Sequence, residues 1–126
     1  MTGEAVSSEP REAMEAELVE GGRFARIVTR RRSSGSPRTV TVGFVPEPDG
    51  SILVAARSPD AAWAADLVAE ARAEVTVGDR VWPVEAEPLD RPEAARTVRE
   101  LILRYGTPAE SLGAGHAFRL RRAGTG

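Results

Sequence analysis

The sequence predicts a mainly β domain of the α+β class: a six-stranded antiparallel barrel with two or three flanking helices. Three observations lead there. Short β-rich runs bounded by Gly, Pro and Asp recur along the chain, tight hairpin signals join several of them, and no linker or long repeat divides the 126 residues. A chain of this length buries roughly two-thirds of its unfolded surface, enough for a single core without covalent staples.

Residues 1–8 are polar and read as a mobile tail, residues 9–122 as the single domain and 123–126 as a frayed end. Met14 and Leu18 lie at i and i+4 in an Ala- and Glu-rich stretch from Ser8 to Glu20, a short helix that Gly21-Gly22 stops. Arg23 to Arg31 is β-rich. Arg38 to Val45 alternates, with Val40, Val42 and Phe44 on one face and Thr39, Thr41 and Gly43 on the other. Pro46 to Gly50 turns the chain, and Ile52 to Ala56 is apolar throughout, as in a strand covered on both faces.

Ser58 reads as an N-cap with Pro59 at the first helical position, followed by an apolar stripe of Trp63, Ala64, Leu67, Val68 and Ala71. Val75–Val77 and Val81–Ala86 flank Gly78-Asp79, a two-residue hairpin signal. In the second of these strands Trp82, Val84 and Ala86 face in, while Glu85 and Glu87 face out. Asp90-Arg91-Pro92-Glu93 is a capping box for a helix presenting Val98, Leu101, Ile102 and Tyr105 before Gly106 and Pro108 end it. Ala117 to Arg121 closes the fold with Phe118 and Leu120 inward.

Composition narrows the function. The net charge is −2, from 17 basic and 19 acidic residues, which argues against a general nucleic-acid or membrane-surface binder. There is no Cys, hence no disulfide, thiolate chemistry or Cys-ligated metal. All of the cationic residues are Arg, and Asn and Gln are missing, a bias of genome composition or of a heat-tolerant source rather than of chemistry. With no apolar run near 18 residues and no signal-peptide pattern, a soluble cytoplasmic protein is expected.

The basic charge is local. Arg30-Arg31-Arg32-Ser33-Ser34-Gly35-Ser36-Pro37-Arg38 suits a tight loop whose N–H groups and guanidinium forks converge on an anion, although a solvated hairpin tip would have the same composition. The strand that follows shows only Thr39, Thr41 and Gly43 on its second face. A planar ring could lie against so small a surface.

No Walker loop, nucleophile elbow or HExxH is present, and Gly113-Ala114-Gly115 lacks the third glycine of a dinucleotide loop. The lone His116 has no second ligand at metal spacing, so any chemistry must come from a cofactor.

In order and spacing, the run from Thr29 to Arg38, Ile52-Leu53-Val54-Ala55-Ala56, Trp63-Ala64-Ala65-Asp66-Leu67 and Val75-Thr76-Val77 resemble the deazaflavin-dependent nitroreductase family. The resemblance spans roughly residues 20–122. That family is a split β-barrel related to flavin reductases and pyridoxamine-phosphate oxidases. It implies binding of coenzyme F420, whose tail is anionic and whose ring passes a hydride to an electron-poor acceptor of quinone, nitro or enone type.

Carried over by position, the resemblance implies that Arg32, Ser33, Ser34 and Arg38 hold the phosphate. It implies that Thr39, Val40, Thr41, Val42 and Gly43 line the ring with backbone groups, and that Ala55, Ala56, Arg57 and Ser58 edge it. Trp63, Ala65 and Asp66 would complete the pocket, and Tyr105 would border the substrate and assist protonation. Trp63 and Tyr105 also have plain core-packing readings on their helical stripes. Two-fold dimers are frequent in such folds.

The chain departs from the family pattern in two places. Its phosphate loop is all Arg where Gly-Arg-Lys or Gly-Arg-Arg is common, and the helix motif has Ala64 and Asp66 where Trp-Tyr-x-Asn is frequent. A carboxylate beside a phosphate should repel it. The residues leave open an FMN- or haem-using barrel oxidoreductase and a non-catalytic cofactor-binding module of the same fold.

Overall fold

The computed structural model describes residues 16–106 and 115–123. Residues 16–20 are helical, and Gly22, with φ of 79°, turns the chain out of that segment. The rest of the proposed first helix, the predicted 1–8 tail, Pro108 and the end of the chain lie outside the described residues.

Among the described residues seven strands, all antiparallel, form one sheet: β1 (Ala25–Arg30), β2 (Pro37–Val42), β3 (Val45–Pro46), β4 (Ile52–Ala55), β5 (Arg72–Val77), β6 (Arg80–Pro88) and β7 (Ala117–Arg122). Their order is β2-β1-β5-β6-β7-β4-β3. The two edge strands are therefore consecutive in the chain, joined only by Gly43 and Phe44. Two residues span no more than a strand spacing or two, so the sheet must curl until its edges nearly meet.

Here the sequence-based count needs correcting. Arg38 to Val45 is not one strand: pairing with β1 ends at Val42, and Val45 pairs instead with Leu53 of β4. Gly43, with no side chain to pack, is where the ladder changes partner.

Inward residues of all the long strands fill the curl, among them Ile27, Val54, Val75, Val84, Phe118 and Leu120. Helix α1 (Ala62–Ala69) covers one mouth with Trp63, Ala64 and Leu67. Helix α2 (Arg91–Tyr105) packs outside, Leu101 meeting Leu53 and Ala55. This arrangement explains why β4 has no polar face: its even residues enter the barrel and its odd ones meet α2.

The hairpin at Gly78-Asp79 forms as its sequence predicts, with Gly78 at φ 63° as the one positive-φ residue of the pair. Asp90 caps α2 by accepting from the Glu93 N–H at 2.9 Å. The other half of the box is absent, because the Glu93 carboxylate accepts from Arg119 instead.

Helix α1 departs from its predicted start. Ala61, not Ser58, is the N-cap, and Ser58 closes a turn by accepting from the Asp60 N–H at 2.9 Å. The stripe is also shorter than predicted: Val68 is exposed and Ala71 lies beyond the helix, while Asp66 takes a buried position.

Candidate functional site

Thr29 and Arg38 face each other across β1 and β2, on the inward side that also carries Ile27 and Val40. Above them, α1 presents Trp63, Asp66 and Leu67 on one face, as the i, i+3, i+4 spacing requires. Asp66 is only 1% exposed, and a carboxylate at that depth needs partners.

It has three. Arg38 Nε donates to Oδ2 at 2.6 Å, the Thr29 hydroxyl to the same oxygen at 3.0 Å, and the Arg32 backbone N–H to Oδ1 at 3.3 Å. Burial pushes the Asp66 carboxyl up, but the bonds from Arg38, Thr29 and Arg32 together outweigh it and hold the group below its ordinary 3.8.

The repulsive role expected of Asp66 is thus incomplete. The carboxylate is the anion on which the loop's donors converge.

Residues 31–36 form the tip beyond this knot. The Arg31 N–H donates to Ser36 O at 2.8 Å, the Gly35 N–H to Arg31 O at 2.8 Å, and Arg30 Nη1 to Gly35 O at 3.2 Å. Gly35 supplies the left-handed turn with φ of 77°. The hydroxyls of Ser34 and Ser36 lie 2.8 Å apart. Arg31, Arg32 and Ser33 are exposed. Among the described residues the guanidinium groups of Arg31 and Arg32 have no protein partner, and the terminal nitrogens of Arg38 have none either.

Along β2 the predicted alternation holds. Val40 and Val42 pack against the core, Thr39 is exposed, and Thr41 and Gly43 are half-buried on the opposite face. Register places Thr39 beside Val28 and Thr41 beside Arg26. This outer surface continues into a cleft of about 430 Å³ beyond β1, lined by Val28, Arg30, Pro37, Glu70, Arg72 and Glu74, among others. Arg30 and Pro37 belong to the arginine-rich run, whereas Val28, Glu70, Arg72 and Glu74 carried no site reading in the sequence.

The far end of β2 is already covered. A Cβ on Gly43 would stand 2.8 Å from Cε2 of Tyr105, so the ring resting on this glycine belongs to the protein itself. The Tyr105 hydroxyl donates to Arg23 O at 2.8 Å and accepts from the Phe44 N–H at 3.1 Å. Phe24 packs on the same ring at 5.0 Å, and the Arg104 guanidinium lies 5.5 Å from its centre. Tyr105 is half-buried and clamps the bend between β2 and β3. Five residues of strand, about 17 Å, separate this clamp from Arg38.

The remaining predicted residues divide. Ala55 faces α2 and Ala56 the core, while Arg57 is exposed and Ser58 half-buried. Gly115 lies against their backbone: a Cβ there would stand 2.5 Å from Ala56 O. Trp63 is a core residue packed on Phe118 at 6.2 Å, and Ala65 is half-buried on α1. His116 is exposed, with its backbone carbonyl accepting from the Ala56 N–H. Among the described residues there is no group of acidic or histidine side chains that could hold a metal, and no helix is long and apolar enough to cross a membrane.

Thr29 is the functional residue that sequence reading missed. Its signal was present: a Thr in phase with the apolar residues Ala25 and Ile27 needs a polar partner inside.

The family model for F420H(2)-dependent quinone reductases matches residues 5–109, most of the chain. The chain belongs to that family. Its coenzyme is F420, in keeping with the resemblance seen in the sequence, and its class of activity is reduction.

No curated protein matches the chain in sequence. Solved structures share its fold. An F420-H2-dependent reductase designated FDR-A has a TM-score of 0.66 at 21% identity over 79% of this chain and 94% of its own. The heme storage protein HutZ of Vibrio cholerae has 0.68 at 16% over 92% and 90%. A protein described as a domain-swapped dimer has 0.66 at 22% over 91% and 98%. At these identities the likeness speaks for the split-barrel architecture alone.

Proposed function

We propose that this protein is an F420-dependent reductase that transfers a hydride to a small electron-poor acceptor of the quinone type. The observation that carries the reading is the loop from Arg31 to Ser36. Its exposed guanidinium groups lack protein partners among the described residues, its backbone is pinned to the barrel through Asp66, and it stands beside a strand whose outer face carries only the small side chains of Thr39 and Thr41.

These residues fit a phosphate-bearing, flat coenzyme. Arg31, Arg32 and the outer nitrogens of Arg38 are the donors for its phosphate, with the hydroxyls of Ser33 and Ser34 beside them. Thr39 and Thr41 leave room for a ring next to the strand, and the adjoining cleft over Val28 can receive an acceptor. Reduced F420, when bound, supplies two electrons as a hydride. The chain's own part is to fix the tail, hold the ring flat and keep water away from it.

Nitro and enone acceptors belong to the same proposal. Proton delivery by Tyr105 would require its hydroxyl to leave Arg23 O, so the phenol serves first to hold the bend in place. A cytoplasmic location and a homodimer complete the reading. The domain-swapped dimer among the solved relatives supports dimerisation.

Titration of the purified protein with F420, followed by its fluorescence, is expected to show saturable binding. Arg32→Ala should weaken that binding by about 1–3 kcal/mol. Absence of binding by the intact, folded protein would remove the proposal.

A further inference from the structure

Three donors point at one spot in the barrel mouth: the Nε of Arg38, the hydroxyl of Thr29 and the N–H of Arg32. Such a convergence of a guanidinium, a hydroxyl and a loop N–H is what a phosphate oxygen would seek. The spot is taken by a side chain of the same protein, 2% exposed and bearing a negative charge.

We infer that Asp66 is an internal stand-in for a ligand anion and sets the selectivity of the loop for its coenzyme. The inference rests on the reading of the loop as a coenzyme site. With Asp66 in place, Arg38 serves two anions at once, its Nε on the carboxylate and only its outer nitrogens toward the ligand. The phosphate is pushed outward, onto Arg31 and Arg32.

The carboxylate therefore does two opposed things. It pins the loop through the Arg32 N–H, which favours binding by pre-organisation. It also places a like charge behind the phosphate and draws on Arg38, which weakens binding, and in a partly desolvated mouth the charge is the larger effect. A side chain of the same shape without the charge should consequently bind the coenzyme better than the natural residue does.

The test is Asp66→Asn, with Asp66→Ser as a second variant, titrated by fluorescence with F420 and with the deazaflavin ring fragment that lacks the phosphodiester. Each protein is first shown to melt cooperatively. The expected result is F420 binding about tenfold tighter than in the natural protein, a lower melting temperature, and no change for the ring fragment. A residue with a merely structural role would give the lower melting temperature and weaker binding of both probes.

If the natural protein and the variants all fail to bind F420, the coenzyme reading falls and this inference with it. If the natural protein binds and the variants bind equally or more weakly, this inference alone is overturned. Should neither variant fold, Arg31→Ala and Arg32→Ala decide, since they alter only exposed side chains and leave the Arg32 N–H on Asp66. Each must weaken F420 about tenfold while sparing the ring fragment, and unchanged affinity in both overturns the outward placement of the phosphate.

Discussion

Two polar clusters in this protein are mirror images in charge. In the barrel mouth one carboxylate, Asp66, gathers Arg38, Thr29 and the Arg32 N–H. On the outer surface one guanidinium, Arg119, gathers carboxylates: Glu93 at 3.0 Å, Glu87 at 3.1 Å and Glu47 at 3.8 Å. The first joins a helix to a hairpin and its loop. The second staples β7 to β6, to α2 and to the turn before β4.

They differ in solvent. The Asp66 side chain is 2% exposed, whereas Glu87 and Glu93 are 49% and 39% exposed. Water competes for the outer cluster and salt screens it, so its many contacts are worth little each. The buried cluster has one ion pair against three, but removing any one of its contacts strands a charge or a donor. Burial, not the number of ion pairs, decides which cluster governs stability.

The sharpest way to test that contrast is Arg38→Ala, which leaves Asp66 buried with only neutral donors. The expected loss is about 3 kcal/mol in denaturant unfolding, toward the low end of the range for broken buried pairs because Arg38 itself is partly solvated. Next comes Gly43→Ala, which drives a methyl into the Tyr105 ring while the hydroxyl holds that ring in place. About 2 kcal/mol is expected from overpacking, and Tyr105→Phe, which frees the ring to shift, should lower the penalty when combined with it.

Acid loosens the buried cluster in a defined window. The Asp66 carboxyl is depressed in the folded protein, so its contribution is complete above its ordinary 3.8 and is lost as pH falls through the lower folded value. The stability difference between the natural protein and Asp66→Asn should be constant above about pH 5 and shrink below 3.8. The smallest effect is Arg119→Met, about 1 kcal/mol or less at low salt and fading as salt is raised. A loss for Arg119→Met as large as that for Arg38→Ala would reverse the comparison.

The sequence made much of the barrel legible, because period-two patterns and turn residues are local. The run at Ile52 to Ala56 announced a strand covered on both sides, Gly78-Asp79 a hairpin, and Asp90 a cap, and each is found. What stayed hidden depended on distance. A partner change at Gly43 looks like a continuous strand until β4 is known to pair with Val45.

The resemblance puts Asp66 in the pocket as a charge that repels phosphate, and nothing local shows that Thr29 and Arg38, 37 and 28 residues away, are brought under it as donors. Phase offered a hint. Arg38 shares its face with Val40 and Val42, and a guanidinium pointing inward requires a buried acid.

The central claim is that the loop pinned by Asp66 offers its exposed guanidinium groups to the phosphate of a flat coenzyme. The most direct measurement is fluorescence titration of F420 into the natural protein and Arg32→Ala at low and at high salt. The account predicts saturable binding, about tenfold weaker in the variant, with the difference narrowing as salt rises. Equal affinity in the two proteins at both salt concentrations would contradict it.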